Sequence, residues 1–163
     1  MKKKNLNIGI LFLFIGLCLL IGIIGKFSMQ EGKDTWYQAL KKPYFFPPDY
    51  VFGPVWTILY TMMGVSLWKI YKSPTMKIKK AKAYYLFGLQ LFLNLLWPFL
   101  FFGLKRPGFA LVDLFFLWIA IILTLYEFKK IDKQASYLLW PYLLWVTFAF
   151  FLNFYSFKYL LFI

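Results

Sequence analysis

Histidine is absent from the 163 residues, and with it the commonest metal ligand and the usual acid–base catalyst near neutral pH. Cys18 is the sole cysteine, so the chain has no disulfide framework. Charge is scarce, at 15% of residues, and strongly one-sided: six Asp and Glu face 19 Lys and Arg, for a net charge of +13. A soluble core of this length needs far more polar surface. That shortage excludes an ordinary soluble domain, a coiled coil and a disordered chain. Sustained apolar/polar alternation is also missing, which argues against a β-barrel.

What the chain has instead is apolar length. It is 62% hydrophobic and 25% aromatic, with 21 Phe, 12 Tyr and 7 Trp. A helix needs roughly 20 apolar residues to cross a bilayer core. Five runs qualify: Leu6–Gly25, Tyr50–Tyr71, Ala83–Leu104, Gly108–Phe128 and Ser136–Phe157. The expected fold is all-α and integral to the membrane, a five-helix bundle forming one domain over residues 1–163. Lys2, Lys3 and Lys4 precede the first run as they would in a signal peptide. Its apolar stretch is long, however, and no small-x-small site follows Ile24, so it reads as a retained helix.

The basic residues lie almost entirely between these runs, where they anchor helix ends at headgroups and set topology. This placement argues against nucleic acid as a partner, whatever the net charge. Of the 19 Lys and Arg, 12 fall on the N-terminal side of the bundle and 7 on the other. The positive-inside rule then puts the N-terminus in the cytoplasm and the first loop outside. Lys105–Pro107 is so short that the third and fourth helices must form a tight antiparallel hairpin. The first loop, Lys26–Asp49, is the only long one, and it carries Trp36, Tyr37, Pro43, Tyr44, Phe45, Phe46, Pro47 and Pro48. A solvated linker would not be so aromatic, so this loop is expected to fold back over the bundle as a lid.

Polar groups inside the spans call for a separate explanation, because helices in lipid gain nothing by burying Leu against Leu. Gln90, Asn94, Trp97 and Phe101 share one face of the third helix. Trp145, Ala149, Leu152 and Asn153 share one face of the fifth, and Trp56, Tyr60 and Met63 one face of the second. Taken singly, the amides could simply tie helices together and the rings could pack. Taken together, three aromatic stripes with few polar groups suit a pocket for a large, planar, mostly apolar ligand, with Ala149 leaving room. Asp113 is the one carboxylate well inside a span; Arg106 is its nearest candidate partner by sequence. Glu127 lies fourteen residues further on, about 21 Å along a helix, so the two cannot act as an acid–base pair. Pro98 should deform the third helix after Trp97, and Pro54 and Pro141 stand within or at the start of spans. Leu152, Tyr155 and Lys158 fit a short sterol-contact pattern that recurs at helix ends.

Several segments also resemble a known family. Trp36-Tyr37 is followed by Leu40, Lys42-Pro43 and Pro47-Pro48, then by Phe52-Gly53-Pro54-Val55-Trp56 with Leu59-Tyr60. Gln90-Leu91, Asn94, Trp97-Pro98, Phe101-Phe102-Gly103 and Ala110-Leu111-Val112-Asp113 come next. Pro141 to Trp145, Phe148-Ala149 and Leu152-Asn153-Phe154 complete the set. In this order, from residue 36 to about 158, the chain resembles the TspO/MBR family of tryptophan-rich sensory proteins. The resemblance implies a five-helix bundle whose first loop covers a pocket. It implies ligands such as protoporphyrin IX, haem, isoquinoline carboxamides and benzodiazepines, in some members cholesterol. Carried over, the pocket would be lined by Tyr37, Pro47, Trp56, Tyr60, Asn94, Trp97, Phe101, Trp145, Ala149 and Leu152. Trp56 and Trp145 would serve any light-dependent breakdown of porphyrin.

The departures are Tyr44 and Phe45 after Lys-Pro, where Trp is frequent, Phe109 before Ala-Leu-Val-Asp, and Phe154 and Lys158 in the sterol segment. A homodimer is a partner in some family members; here the third helix offers only Gly88 and no small-xxx-small motif. The leading expectation is a bacterial cell-membrane receptor or sensor that binds porphyrin without turnover, with no resident cofactor, no metal and no classical enzyme chemistry. Porphyrin photochemistry, transport and a purely structural membrane subunit are the alternatives. Against transport, five spans cannot form an even inverted repeat.

Overall fold

The computed structural model of the chain describes residues 2–32, 36–40 and 42–160. Helix α1 runs over Lys2–Gly32, a short α2 over Trp36–Ala39, α3 over Asp49–Lys72 and α4 over Lys77–Pro98. A π-helical turn, Phe99–Gly103, continues α4. Then come α5 (Pro107–Ile131), a short α6 (Lys133–Tyr137) and α7 (Trp140–Leu160). Among the described residues, five stretches are long and apolar enough to cross a membrane: Asn7–Ser28, Asp49–Lys72, Lys80–Gly103, Pro107–Ile131 and Lys133–Leu160. The expected all-α, five-span architecture is therefore present. The first helix runs beyond its expected end at Gly25, because one glycine costs a helix only about 1 kcal/mol and nothing in Lys26–Gly32 breaks it. Of the expected first loop, residues 33–35 and 41 lie outside the described residues.

The helix ends follow local chemistry. Asp49 stands in the first turn of α3 and Lys69 and Lys72 in its last, matching the helix dipole at both ends. Pro107 opens α5 where its missing N–H costs nothing, and Lys129 and Lys130 close it. Asp132 caps α6, its Oδ1 accepting from the Ala135 N–H at 2.9 Å. Between α4 and α5 the chain reverses through Lys105, whose φ of 54° is left-handed. The Leu104 N–H bonds to Phe99 O at 2.8 Å, and the Arg106 N–H to Leu100 O at 3.0 Å. The tight hairpin expected from Lys105–Pro107 forms in this way. Pro98 deforms the helix as its missing N–H requires, by widening the next turn to π geometry.

The main core joins α1, α3, α4, α5, α6 and α7 through Cys18, Met63, Ile70, Phe87, Leu117, Ile121, Phe128, Ala135 and Tyr142, with Leu139 between the last two helices. In lipid the discriminating contacts are small residues and hydrogen bonds. Gly64 lets α3 touch α1: a Cβ there would lie 2.5 Å from Ile15 Cα. The Trp68 Nε1–H donates to Asn7 O at 2.8 Å across the same pair. Ser66 donates to Ala135 O at 2.7 Å, Ser136 to Leu125 O at 2.9 Å, and Trp118 Nε1–H to Thr147 Oγ1 at 3.0 Å. Glu127 pairs with Lys82 at 2.8 Å and Lys130 at 3.0 Å, which gives it a role in joining α4 to α5.

A second, smaller cluster lies at the end where the 33–48 connection joins α1 to α3, called here the loop end. Tyr37, Leu40, Phe101, Phe102 and Ala110 are buried there, with Trp36, Phe46 and Trp97 packed against them.

Candidate ligand site among the aromatic rings

The π turn after Pro98 positions the first wall of the site. It brings Phe101 under Trp97, their rings stacked 5.4 Å apart, and sets Phe102 edge-on to both. Trp36 meets Phe101 at 5.7 Å and Tyr37 meets Phe102 at 5.3 Å, so the short α2 docks on the turn by ring contacts. Opposite stand Phe52 and Trp56 of α3, and Trp145, Ala149 and Leu152 of α7. Phe52 packs edge-on to Trp145 at 5.8 Å. These walls, with Leu40, Lys42, Phe46, Asp49, Asn153 and Ser156, enclose a pocket whose open room is about 60 Å³.

Its few polar groups are held in place. With the Asn153 amide assigned to the orientation its neighbours require, its nitrogen donates to Pro107 O at 3.1 Å and its oxygen accepts from the Leu111 N–H at 3.2 Å and Trp97 Nε1–H at 3.3 Å. One amide thus fixes the Trp97 indole and ties α7 to the first turn of α5. Lys42 Nζ lies 4.0 Å over the Tyr37 ring and 5.1 Å over that of Phe46, a cation on two aromatic faces. Burial, with a smaller contribution from the Asp49 carboxylate, pushes the Tyr37 phenol above its ordinary value, so it is a neutral wall at any physiological pH.

Behind Trp56 and Trp97 is a second compartment, a groove of about 600 Å³ between α1, α3 and α4. Tyr60 and Asn94 belong to this side. Trp56 stacks on Tyr60 at 5.3 Å and meets Tyr142 edge-on at 6.3 Å. The Tyr60 hydroxyl donates to Asn94 Oδ1, and Asn94 Nδ2 donates to the Tyr142 hydroxyl at 2.9 Å. This chain of bonds crosses from α3 through α4 to α7.

The ten positions carried over from the resemblance therefore divide. Tyr37, Trp56, Trp97, Phe101, Trp145, Ala149 and Leu152 line the pocket. Tyr60 and Asn94 line the groove, with Trp56 and Trp97 as the shared wall. Pro47 is half-buried and lines neither. Leu152 faces the pocket while Tyr155 rests on Tyr159 at 4.6 Å and Lys158 is exposed, so the sterol-pattern residues spread over different faces of α7. The stripes did not single out Lys42 and Asp49, the two charged residues among the described lining; only their place beside Tyr37 and Phe52 hinted at them.

Two further polar residues differ from expectation. Asp113 is buried, and neither carboxylate oxygen has a hydrogen-bond partner among the described residues. Arg106 does not pair with it: seven residues separate them, about 10 Å along a helix, and Arg106 is exposed at the hairpin. Gln90, one turn from Asn94, is fully buried and also without a partner among the described residues. No three side chains of the metal-binding kinds come together among the described residues.

These features define a class: a small helical membrane protein with an aromatic pocket at one end of its bundle. The profile of the TspO/MBR family matches residues 14–158, and the chain belongs to that family. It is 45% identical over 150 residues to the tryptophan-rich protein TspO of Chlorobaculum tepidum, covering 92% of this chain and 95% of that one. It is 39% identical over 130 residues to the translocator protein of Homo sapiens, covering 79% and 76%. The tryptophan-rich sensory protein of Cereibacter sphaeroides is 37% identical over 121 residues, covering 74% of each chain. The protein is thus an integral membrane protein of the TspO type.

Proposed function

We propose that this protein is a membrane receptor or sensor. Its ligand is a planar, mostly apolar molecule of the tetrapyrrole kind (protoporphyrin IX or haem), with isoquinoline carboxamides and benzodiazepines as synthetic alternatives. The observation that carries this reading is the convergence of seven aromatic or small residues from α2, the π turn, α3 and α7 on one pocket, with Trp97 held by Asn153. The name of one relative, tryptophan-rich sensory protein, supports it further. Pockets for ligands of this size hold about 300–1,000 Å³, well above 60 Å³. Residues 36–48 accordingly act as a lid, and Tyr37, Leu40, Lys42 and Phe46 move with it to admit the ligand. The protein works in a bacterial cell membrane, N-terminus in the cytoplasm and lid outside.

A second reading has its own observation. Trp56 stacks on Tyr60 and touches Tyr142, while Trp145 stands across the pocket, so oxidisable rings would surround a bound porphyrin. Light-dependent breakdown of the porphyrin by oxygen beside Trp56 and Trp145 needs no acid–base group, in keeping with the missing histidine. One experiment separates the two. Protoporphyrin IX is titrated in the dark into detergent-purified protein and then illuminated, with Trp emission and porphyrin absorbance followed. Saturable quenching, weakened in Trp145→Ala and followed by a stable spectrum in light, supports the receptor. Loss of the spectrum that requires Trp56 and Trp145 supports the photochemistry. Absence of saturable binding overturns both.

A further inference from the structure

The aromatic pocket and the groove behind it are two compartments of one cavity system. Asp49, Phe52, Trp56 and Trp97 line both. The two compartments differ in room and in outlook. The pocket holds about 60 Å³ and is closed over by Tyr37 and Leu40, both buried. The groove holds about 600 Å³ and opens sideways within the spans, where Ile23 is 54% and Tyr50 78% exposed. From Asp49 to Tyr60 its α3 side covers eleven residues, about 16 Å of helix. Gly22 and Gly25 draw α1 in against it: a Cβ on Gly22 would collide with the Tyr60 ring, and one on Gly25 would lie 3.2 Å from Pro98. At Gly53 the groove is open, for a Cβ there would meet nothing within 4 Å. The Thr57 hydroxyl is turned back onto Gly53 O at 2.9 Å, and Tyr60 and Asn94 are bonded to each other, so these polar groups are already satisfied.

A ring system with only short substituents has no use for a long groove beside its pocket. A ring system with a long chain requires one, because a closed pocket cannot hold the chain and the chain needs an outlet to lipid. We propose that the ligand is a tetrapyrrole esterified with a long isoprenoid alcohol, its ring in the aromatic pocket and its chain laid in the groove, emerging between α1 and α3 into the bilayer. This rests on the ring-binding reading given above and adds the class of ligand. The chain gains little by leaving one apolar medium for another, so the groove acts by admitting it. Filling the groove presses the chain against packed side chains, and overpacking of that kind corresponds to about tenfold or more in affinity.

The test uses the full chain in lipid nanodiscs and two uncharged probes that share one ring, protoporphyrin IX dimethyl ester and protoporphyrin IX methyl phytyl diester. Each is titrated in the dark as a fraction of the lipid, and Trp quenching is read. Both are expected to saturate in the wild type. Gly53→Leu, whose position lines the groove and not the pocket, should weaken the phytyl ester about tenfold relative to the dimethyl ester. The ratio between probes cancels their partition into lipid. Ile23→Trp, at an exposed position of α1 on the same groove, should give the same shift and takes the place of Gly53→Leu should that variant not fold. Trp145→Ala, in the pocket alone, should weaken both esters by the same factor. A wild type that binds the dimethyl ester and rejects the phytyl ester, or a ratio that neither groove variant changes, overturns the chain site while the ring reading stands. Absence of saturable binding of the dimethyl ester overturns the ring reading, and the chain site falls with it.

Discussion

Replacing Gly64 by alanine adds one methyl group where α3 crosses α1, and the structure states what that methyl meets. Its Cβ would lie 2.5 Å from Ile15 Cα and 2.7 Å from Ile15 N, both backbone atoms that no change of rotamer can remove. Ordinary contact begins near 3.4 Å, so α1 must retreat by about 0.9 Å. A gap of that size forfeits a quarter to a half of the dispersion energy of the contacts around it, and overpacking of this kind costs about 1–3 kcal/mol. Alanine also gains about 0.5–1 kcal/mol over glycine within a helix. Gly88→Ala is therefore the proper reference, since its Cβ meets nothing within 4 Å and the same gain appears there without the overlap. The difference between the two variants, about 1–3 kcal/mol, isolates the crossing. Cys18 reports on it directly: it is the sole thiol, it lies on α1 in the same buried cluster as Leu59, Tyr60 and Met63 of α3, and it is fully buried. Labelling with a maleimide in micelles, run beside thermal unfolding, should be about tenfold faster in Gly64→Ala for every 1.4 kcal/mol lost. Equal labelling rates and equal melting temperatures in Gly64→Ala and Gly88→Ala would refute the close crossing.

Four other outcomes are expected. Asn94→Leu leaves the Tyr60 and Tyr142 hydroxyls without their shared partner and should lower stability by about 1–3 kcal/mol, with a Tyr60→Phe cycle showing that the two losses are not additive. Lys105→Gly relieves a left-handed backbone position and should raise stability by about 1–2 kcal/mol, seen as a higher melting temperature without change in ligand binding. Asp113→Asn removes a buried carboxyl that has no partner among the described residues, and thermal unfolding should show equal or higher stability. For Tyr37 the sign follows from a phenol held above its ordinary 10.0 by burial. Below pH 10 it is neutral whether residues 36–48 are docked or undocked. Above that, the undocked state gives up its proton first, so docking weakens as pH rises. Absorbance at the phenolate band from about pH 9 to about pH 11 should rise by the same amount in wild type and Tyr37→Phe, because docked Tyr37 keeps its proton through that range.

The spans and the inward faces were legible in the sequence because both depend on local periodicity. Twenty apolar residues fix a crossing, and spacings of three and four fix a face, so Trp97 with Phe101 and Trp145 with Ala149 and Leu152 could be grouped before any fold was known. Periodicity does not say which neighbour a face meets. Tyr60 and Asn94 share the stripes of Trp56 and Trp97, yet they lie behind those rings, since a helix that carries a wall presents residues to both sides of it. Arg106 and Asp113 looked like partners by proximity in sequence, but seven residues of helix hold them two turns apart. The role of α1 was least visible. It acts through Gly22, Gly25 and the Ile15 backbone, and a glycine in an apolar run carries no sign of what it touches.

The pocket of about 60 Å³ is filled by the protein's own rings, with Trp97 on Phe101 and Phe52 against Trp145. A molecule too large for that space enters only after these contacts have parted, so the fraction of time spent open divides its apparent affinity. Binding of such a ligand would then slow to a ceiling as its concentration rises, because the rate is set by the motion of the chain and not by encounters. Small aromatics would gain little, having too few contacts to offset those they displace. For the ligand proposed above, the closed arrangement would act as a size filter and a clock, both properties coming from side chains that the protein keeps stacked on one another.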